Sequence, residues 1–290
     1  SVSSISWSPN NKNRLFICSS WDSNVRLYKL HDSALERKIT LETIYDLEDP
    51  ALCTDWKEDS SIVFAGCINN KIIGFDLNTQ QDLFVGKHDI AVCGIHWISH
   101  LNALITLSYN SKIKLWDLRQ VEPIKTLQLS YRVTCSDYNS GLLAVGLSQS
   151  KVTVLDTRDV KKIRNPICVE SMLGPDTIID CIAVSPGGKF VATGGNDGRV
   201  NISNYGGKSK ESGKKQIMSC LLTFKAYIVK FGDNEPSILY PVNSVGFNPR
   251  SPNFLFTAGG NGVLSFWDFD SKSAITSHGQ GDVPITRAKL

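Results

Sequence analysis

One pattern of apolar and polar residues recurs six times along the chain. In its first copy, at residues 19–28, the end of an apolar segment is followed by a polar turn and then by alternating apolar and polar residues. This pattern predicts two antiparallel strands joined by a tight hairpin. The turns at residues 196–198 and 261–262 contain Asn, Asp or Gly, which tolerate the positive φ angles that such hairpins require. Six hairpins of one kind indicate a repeat protein built from β-strands.

The repeats also share an opening strand and a closing residue. The segment before each hairpin ends in a bulky residue, and these residues are Trp7, Trp56, Trp97, Tyr138, Val184 and Phe247. In four copies the third strand ends in an aspartate, and these are Asp76, Asp117, Asp156 and Asp268. Two of the four follow a tryptophan directly. The pattern resembles the Trp-Asp signature of the WD-repeat β-propeller, in which roughly 40–45 residues form one four-stranded blade.

This resemblance implies an all-β fold. We expect residues 1–290 to form a single WD-repeat β-propeller domain, with seven blades in the intact protein. Blade one should have strands at residues 2–7, 14–19 and 25–30, with an outer strand near 38–45. Residues 284–290 align with residues 241–247, which begin blade six, so we expect the seventh blade to be incomplete in this chain. Stacking the blades radially buries both faces of each sheet.

Composition narrows the classes of partner. The chain has 290 residues, of which 41% are apolar and 20% charged, and its formal net charge is +3. A charge this small gives no support for non-specific binding to nucleic acid. No apolar segment approaches the ~20 residues that span a membrane, and the N-terminus has no signal-peptide core. We therefore expect no direct nucleic-acid partner and no membrane partner.

The eight cysteines suggest a structural role. They form no Cys-x-x-Cys pair and no Cys/His cluster with zinc spacing, so we expect no metal site and no disulfide framework. Cys53, Cys135 and Cys181 recur three residues before the bulky residue of their strands, which predicts a small buried apolar position. The absence of a disulfide pattern favours a reducing compartment, the nucleus or the cytoplasm.

No arrangement of residues indicates catalysis. The five histidines are accompanied by no nucleophile elbow and no metalloprotease pair, so we expect neither an enzyme nor a bound cofactor. His88 and Asp89 precede the first strand of blade three, and we expect a buried His–Asp hydrogen bond there. Asp22 and Asp197 lie in hairpin turns, where we expect them to bind the neighbouring backbone.

One turn position carries unusual side chains. It lies four residues before the first aliphatic residue of each third strand, and it reads Trp21, Ile68, Tyr109, Ser148, Asn196 and Gly260. Blades one to three thus place large apolar side chains where small or polar ones are usual. The repeat predicts that these three emerge together, and exposed aromatic residues often anchor binding partners. Alternatively, each packs against a neighbouring loop.

A basic residue precedes the same aliphatic residue in four blades. These residues are Lys71, Lys112, Lys151 and Arg199. They would suit an acidic or phosphorylated partner segment. The alternative is an ordinary solvated charged turn.

Several segments in order resemble the Bub-family mitotic checkpoint propeller. They include residues 2–10, 19–28, 76–79, 85–89, 114–117, 197–200 and 240–244, and they extend across nearly the whole chain. The paralogous mRNA-export propeller of the nuclear pore is the alternative, and residues 95–97 resemble that family slightly better.

The resemblance implies a non-catalytic adaptor of the spindle assembly checkpoint. Such a propeller binds a GLEBS segment of a checkpoint kinase or its pseudokinase relative, brings it to kinetochores, and reads phosphorylated repeats of a kinetochore scaffold. In the mRNA-export alternative, the GLEBS segment belongs to a nucleoporin. The expected location is the nucleus and the kinetochore, and the cytoplasm is also compatible.

The family's site residues can be assigned only where this sequence matches them. Trp21 and Arg199 match an aromatic clamp and an arginine that meets glutamates of the GLEBS segment, and Tyr109 replaces a second tryptophan. With Ile68 and Lys225, they form the expected peptide-binding set, while the three lysines of the other turns are candidates for phosphopeptide binding. The family has an arginine where this chain has Asp180, and a second family arginine is also missing beyond Lys225.

Overall fold

The computed structural model describes residues 1–10, 14–32, 37–158, 168–171, 173–206, 218–229, 237–279 and 283–289. These residues form six four-stranded antiparallel sheets and one short two-stranded ribbon. The alternating pattern of the sequence is the cause, because it gives each strand one face for each neighbouring sheet. Among the described residues, the short 3-10 helices Ser99–Leu101 and Pro186–Gly188 connect strands. The predicted all-β architecture with six complete blades is therefore confirmed.

The first compact unit, Ser1–Arg132, contains blades one to three. Blade one consists of β1 (Val2–Trp7), β2 (Leu15–Ser20), β3 (Asn24–Asp32) and β4 (Arg37–Asp46). Blade two consists of β5 (Ala51–Trp56), β6 (Ile62–Cys67), β7 (Lys71–Asp76) and β8 (Gln81–Lys87). Blade three consists of β9 (Val92–Ile98), β10 (Ala103–Ser108), β11 (Lys112–Trp116) and β12 (Lys125–Gln128). The strands expected in blade one agree with these bounds to within two residues.

The second compact unit, Val133–Ala288, contains blades four to six. Blade four consists of β13 (Val133–Asn139), β14 (Leu142–Leu147), β15 (Lys151–Asp156) and β16 (Cys168–Glu170). Blade five consists of β17 (Ile179–Val184), β18 (Phe190–Gly195), β19 (Arg199–Tyr205) and β20 (Met218–Lys225), and the ribbon β21 (Ile228–Val229) and β22 (Ile238–Leu239) follows. Blade six consists of β23 (Val242–Phe247), β24 (Phe254–Gly259), β25 (Leu264–Asp268) and β26 (Ser273–His278).

Every blade has a register shift near the start of its first strand. One residue is skipped there, and the skipped residues are Ser3, Leu52, Cys93, Thr134, Asp180 and Asn243. A bulge of this kind bends the strand and redirects the side chain of the extra residue. The same bulge in six sheets supports the alignment of the repeats on which the site assignments depend.

The recurring cysteines pack in the core, as predicted. Cys53 and Cys181 are buried and Cys135 is half-buried, and each sulfur faces a glycine of the second strand. A Cβ added at Gly66 or Gly194 would lie only 2.7 or 2.5 Å from that sulfur. The thiols also point at a carbonyl of the next blade, with Sγ–O distances of 3.6, 3.7 and 3.2 Å for Cys53, Cys135 and Cys181. This position is therefore a close contact between blades.

The prediction of a buried His–Asp hydrogen bond at His88 and Asp89 is wrong. The buried His88 instead has Nε2 at 2.7 Å from Thr106 Oγ1, and Trp116 Nε1 donates to the same oxygen at 2.8 Å. Asp89 points into solvent and accepts from Lys112, because successive side chains of an extended chain face opposite ways. Burial lowers the pKa of His88 to about 4, so the ring is neutral at pH 7.

Residues 284–289 lie beside the first strand of blade six. Asn243 Nδ2 donates to Ile285 O at 2.8 Å, and Ser244 Oγ donates to Ala288 O at 2.9 Å. Cys181 makes a comparable contact from blade five to Val242 in the first strand of blade six. The segment packs on the first strand of blade six, as the start of an incomplete seventh blade would, although residues 284–289 form no strand of their own.

Candidate functional site

A backbone hydrogen bond fixes the unusual turn position in blades one, two and three. In the first unit, the backbone amides of Trp21, Ile68 and Tyr109 each donate to the carbonyl of the residue just before the first strand of the blade. The N–O distances are 3.1, 2.9 and 3.4 Å. The acceptors are the carbonyls of Ser1, Pro50 and Ala91. Because the bond is the same in three consecutive sheets, their side chains lie at the same end of blades one, two and three. We call Trp21, Ile68 and Tyr109 the apolar edge.

Two members of the apolar edge are exposed and the third is half-buried. Trp21 is 52% exposed and Ile68 is 40% exposed, whereas Tyr109 is partly covered. Ile90, which the sequence analysis did not select, is 45% exposed and lies next to the Tyr109 turn, since Ser108 Oγ donates to Ile90 O at 3.2 Å. Large apolar side chains in solvent at one end of a sheet stack form a surface that a partner can cover.

Arg132 is a second residue that the sequence analysis did not select. Its guanidinium lies 5.2 Å from the centroid of the Tyr109 ring, which is a cation–π contact. No acidic side chain of the described residues pairs with it. The residue lies between blades three and four, outside the hairpin that defines the repeat, so no repeated position could have identified it.

The lysines of blades two and three are paired with acids. Lys71 Nζ donates to Glu48, and Lys112 Nζ donates to Asp89 Oδ2 at 2.5 Å. The bond from Lys112 lowers the pKa of Asp89, and the bond to Glu48 raises the pKa of Lys71. Both acids lie in the segment before the first strand of their blade. A phosphate that binds these lysines must therefore compete with a carboxylate already present.

The second unit contains the other predicted cations. Lys151 Nζ donates to Glu170 Oε1 at 2.5 Å and lowers its pKa. Arg199 Nε donates to Asp197 Oδ2 at 2.5 Å, and Arg199 lies directly opposite Lys225 in the sheet. Lys225 is exposed and pairs with no acid of the described residues. Two positive charges therefore lie side by side. The charge of Arg199 is balanced by Asp197, whereas that of Lys225 is not balanced by an acid of the described residues.

The turn aspartates bind the backbone, as predicted. Asp22 Oδ1 accepts from the amide of Asn24 at 3.2 Å, and Asp197 Oδ1 accepts from the amide of Arg199 at 3.1 Å. Asp22 also accepts from Arg26 at 2.6 Å, and this bond lowers the pKa of Asp22 to about 2. These carboxylates hold the hairpins in shape.

Asp180 is the skipped residue of the bulge in blade five. Its carboxylate is half-buried, and desolvation raises its pKa while the nearby charge of Arg287 lowers it. Asp197 raises the pKa further. An acidic group here repels an acidic ligand and attracts a basic one.

Comparison with known proteins identifies the fold. The model of the WD domain, G-beta repeat, matches residues 1–29 and 166–203. The fold is therefore that of a WD-repeat β-propeller, in agreement with the six four-stranded sheets. The chain is 29% identical to the poly(A)+ RNA export protein of Schizosaccharomyces pombe, over 96% of this chain and 74% of that protein. It is 28% identical to the spindle assembly checkpoint protein bub3 of the same yeast, over 94% of this chain and 79% of that protein.

The propeller resembles both classes to a similar degree. It is also 26% identical to the protein Rae1 of Drosophila melanogaster, over 99% of this chain and 80% of that protein. The suspected resemblance to checkpoint and mRNA-export propellers is thus confirmed, and the identities do not separate the two. No helix in the described part of the propeller is long and apolar enough to cross a membrane. Among the same residues, no three His, Cys, Asp or Glu side chains cluster as metal ligands.

Proposed function

We propose that this propeller is a non-catalytic adaptor that captures a short peptide segment of a partner protein on its apolar edge. The observation that carries the proposal is the exposure of Trp21 and Ile68 beside Tyr109 and Ile90, at equivalent positions of three consecutive blades. When a partner covers such side chains, the free energy of the complex is lowered, and a buried aromatic anchor often dominates an interface.

The charges around the apolar edge favour a segment that is apolar with acidic residues beside it. Arg132 offers a guanidinium without an acidic partner next to the Tyr109 ring, whereas Lys71 and Lys112 already have acids. The resemblance implies a GLEBS segment, whose glutamates suit Arg132. Arg199 and Lys225 of the second unit are separate candidates for contacts with glutamates. Recognition of phosphorylated scaffold repeats by Lys71, Lys112 and Lys151 is a further part of the proposal, and it requires the phosphate to displace their carboxylate partners.

We assign the adaptor to the spindle assembly checkpoint, acting in the nucleus at kinetochores with a checkpoint kinase or its pseudokinase relative. The similarity to bub3 and the ordered segments of the sequence support this assignment. The mRNA-export alternative, with a nucleoporin as partner, is supported by a similar identity to the poly(A)+ RNA export protein.

A pull-down with the purified chain from mitotic and interphase extracts tests the assignment. Mass spectrometry should recover a checkpoint kinase or pseudokinase, most strongly from mitotic extract. Recovery of nucleoporins without any checkpoint kinase would replace the checkpoint assignment by mRNA export. Recovery of neither class by the wild-type chain would overturn the adaptor proposal, and so would equal recovery by the wild-type and Trp21→Ala chains.

A further inference from the structure

Blade five lacks an interaction that blades three and six share. In those two blades, a buried threonine of the second strand accepts from a tryptophan of the third. Trp116 Nε1 donates to Thr106 Oγ1 at 2.8 Å, and Trp267 Nε1 donates to Thr257 Oγ1 at 2.9 Å. Thr193 is the corresponding threonine of blade five. It is 1% exposed, and its hydroxyl has no hydrogen-bond partner among the described residues.

The missing partner leaves a cavity. Ser203 stands in the strand register that Trp116 occupies in blade three, and a serine cannot fill the volume of an indole. The Trp116 ring packs on Gly86 of blade two, where an added Cβ would lie 2.3 Å from it. Val169 of blade four occupies the strand position that Gly86 has in blade two. Together with Thr193 and Ser203, it lines a cavity of about 30 Å³. One water-sized group fits into such a volume.

Cys220 lies at the wall of this cavity. It is directly opposite Ser203 in the sheet, and it is the exposed member of the eight cysteines, all of which are described. Its sulfur accepts a hydrogen bond from Asn201 Nδ2 at 3.2 Å, and Asn201 is itself buried. The sulfur is therefore open to solvent on one side and adjoins the cavity, with its Thr193 and Asn201 side chains, on the other.

The structure points to a modification site: we propose that hydrogen peroxide oxidises Cys220 reversibly to a sulfenic acid, which the cavity beside Thr193 shelters. The sulfur attacks one peroxide oxygen, so that an S–O bond forms while the O–O bond breaks. The departing hydroxide takes the thiol proton and becomes water. Sulfur loses two electrons and the peroxide gains them, so the products are the sulfenic acid and one water.

The cavity stabilises this product through its size and its polar groups. The added oxygen is about as large as a water molecule, and inside the cavity it meets the free hydroxyl of Thr193 and the amide of Asn201. Pairing the Thr193 hydroxyl removes the cost of leaving a buried polar group unpaired. A hydrogen bond from Thr193 to the added oxygen withdraws electron density from the sulfur and slows its attack on a second peroxide molecule, while the solvent side of the sulfur stays open to dimedone.

The core cysteines provide the contrast. Burial raises the pKa of Cys135 to about 12 and the pKa of Cys181 well above its ordinary value. Their thiolate fraction at neutral pH is therefore small, and the thiolate is the form that reacts with peroxide. Glu170 lines the same cavity as Cys220, but its carboxylate is held by Lys151.

The test exposes the intact chain to micromolar hydrogen peroxide in the presence of dimedone and maps the adducts by mass spectrometry. We expect the sulfenic-acid adduct on Cys220 above every other cysteine, and recovery of the free thiol when dithiothreitol replaces dimedone. Thr193→Val removes the hydroxyl at nearly constant volume. Ser203→Leu fills the cavity with the residue that blade four has at this register. In both variants, Cys220 should lose most of the adduct and gain sulfinic acid.

Cys168→Ser is the matched control, because Cys168 is a half-buried cysteine of the neighbouring strand β16, and this change should leave the adduct on Cys220 intact. Far-UV circular dichroism and thermal melting of each variant verify that the sheet is still folded, and iodoacetamide labelling verifies that the thiol of Cys220 is still exposed. An even distribution of adducts over all cysteines would overturn the proposal. So would direct formation of sulfinic acid on Cys220 in the wild-type chain, or an adduct unchanged in both cavity variants.

Discussion

Removing the indole of Trp21 should weaken peptide binding while leaving the blades folded. The hydrogen bond that fixes this turn uses the backbone amide of Trp21, so Trp21→Ala retains it. The side chain is 52% exposed, which leaves about half of its area for a partner to cover. A covered aromatic side chain buries ~200 Å², so roughly 100 Å² is available here, and at about 25 cal/mol per Å² this area contributes ~2.5 kcal/mol.

This free energy corresponds to a roughly 50- to 100-fold increase in Kd, since about 1.4 kcal/mol is a factor of ten. Isothermal titration calorimetry with the partner peptide from the pull-down measures it, and thermal melting verifies the fold. Phe84→Ala is the matched control, because Phe84 is 59% exposed in the outer strand β8 of the same unit, away from the turn position. A Kd for Trp21→Ala within twofold of the wild type, or an equal loss for Phe84→Ala, would refute the reasoning.

Three further predictions concern charge, pH and packing. Arg132→Gln should weaken binding of an acidic peptide by about 0.5–1 kcal/mol, and titrations at rising salt should shrink the difference; a salt-independent difference would contradict an exposed ion pair. The pKa of His88 is about 4 in the folded chain and about 6.5 when unfolded, so the unfolded chain binds more protons between these values. Stability should therefore fall as the pH drops from about 6.5 through 4, by up to roughly 3 kcal/mol, and urea titrations of wild type and His88→Gln should show this slope only in the wild type. Gly194→Ala should cost about 1–3 kcal/mol, because the new Cβ would lie 2.5 Å from the sulfur of Cys181; an unchanged melting temperature would contradict that close packing.

The hairpin repeat allowed the position of the apolar edge to be predicted. A tight turn of fixed length sets the register of its strands, so equivalent residues of different copies, such as Trp21 and Ile68, have the same backbone bond. The burial of Cys53 and Cys181 followed from the same argument. Whether the predicted residues bind a peptide is a separate question, which the pull-down and the calorimetry address.

Contacts between distant segments could not be predicted in this way. Lys71 is bound by Glu48 and Lys112 by Asp89, each acid 23 residues earlier, but the hairpin pattern used for the prediction does not include these acids. Arg132 reaches Tyr109 from a connection between blades, and His88 binds Thr106 rather than its sequence neighbour Asp89. These pairings depend on side-chain directions and on the packing of blades, which the periodicity of apolar residues does not encode.

Ser203 stands where blades three and six have a tryptophan, and the sequence alone does not show the consequence. Only the packing of blade four on blade five shows that, among the described residues, no other side chain fills the space and none pairs with the Thr193 hydroxyl. A cavity depends on the volumes of several segments at once, and Val169 and Met218 contribute from different strands.

Hydrogen–deuterium exchange of the full chain, with and without its partner peptide, tests the central claim most directly. Binding on the apolar edge should slow amide exchange in the turns at residues 20–24, 67–71 and 108–112, with the outer strands β4 and β8 unchanged. Protection confined to the outer strands, with these three turns exchanging as fast as in the free protein, would contradict the account.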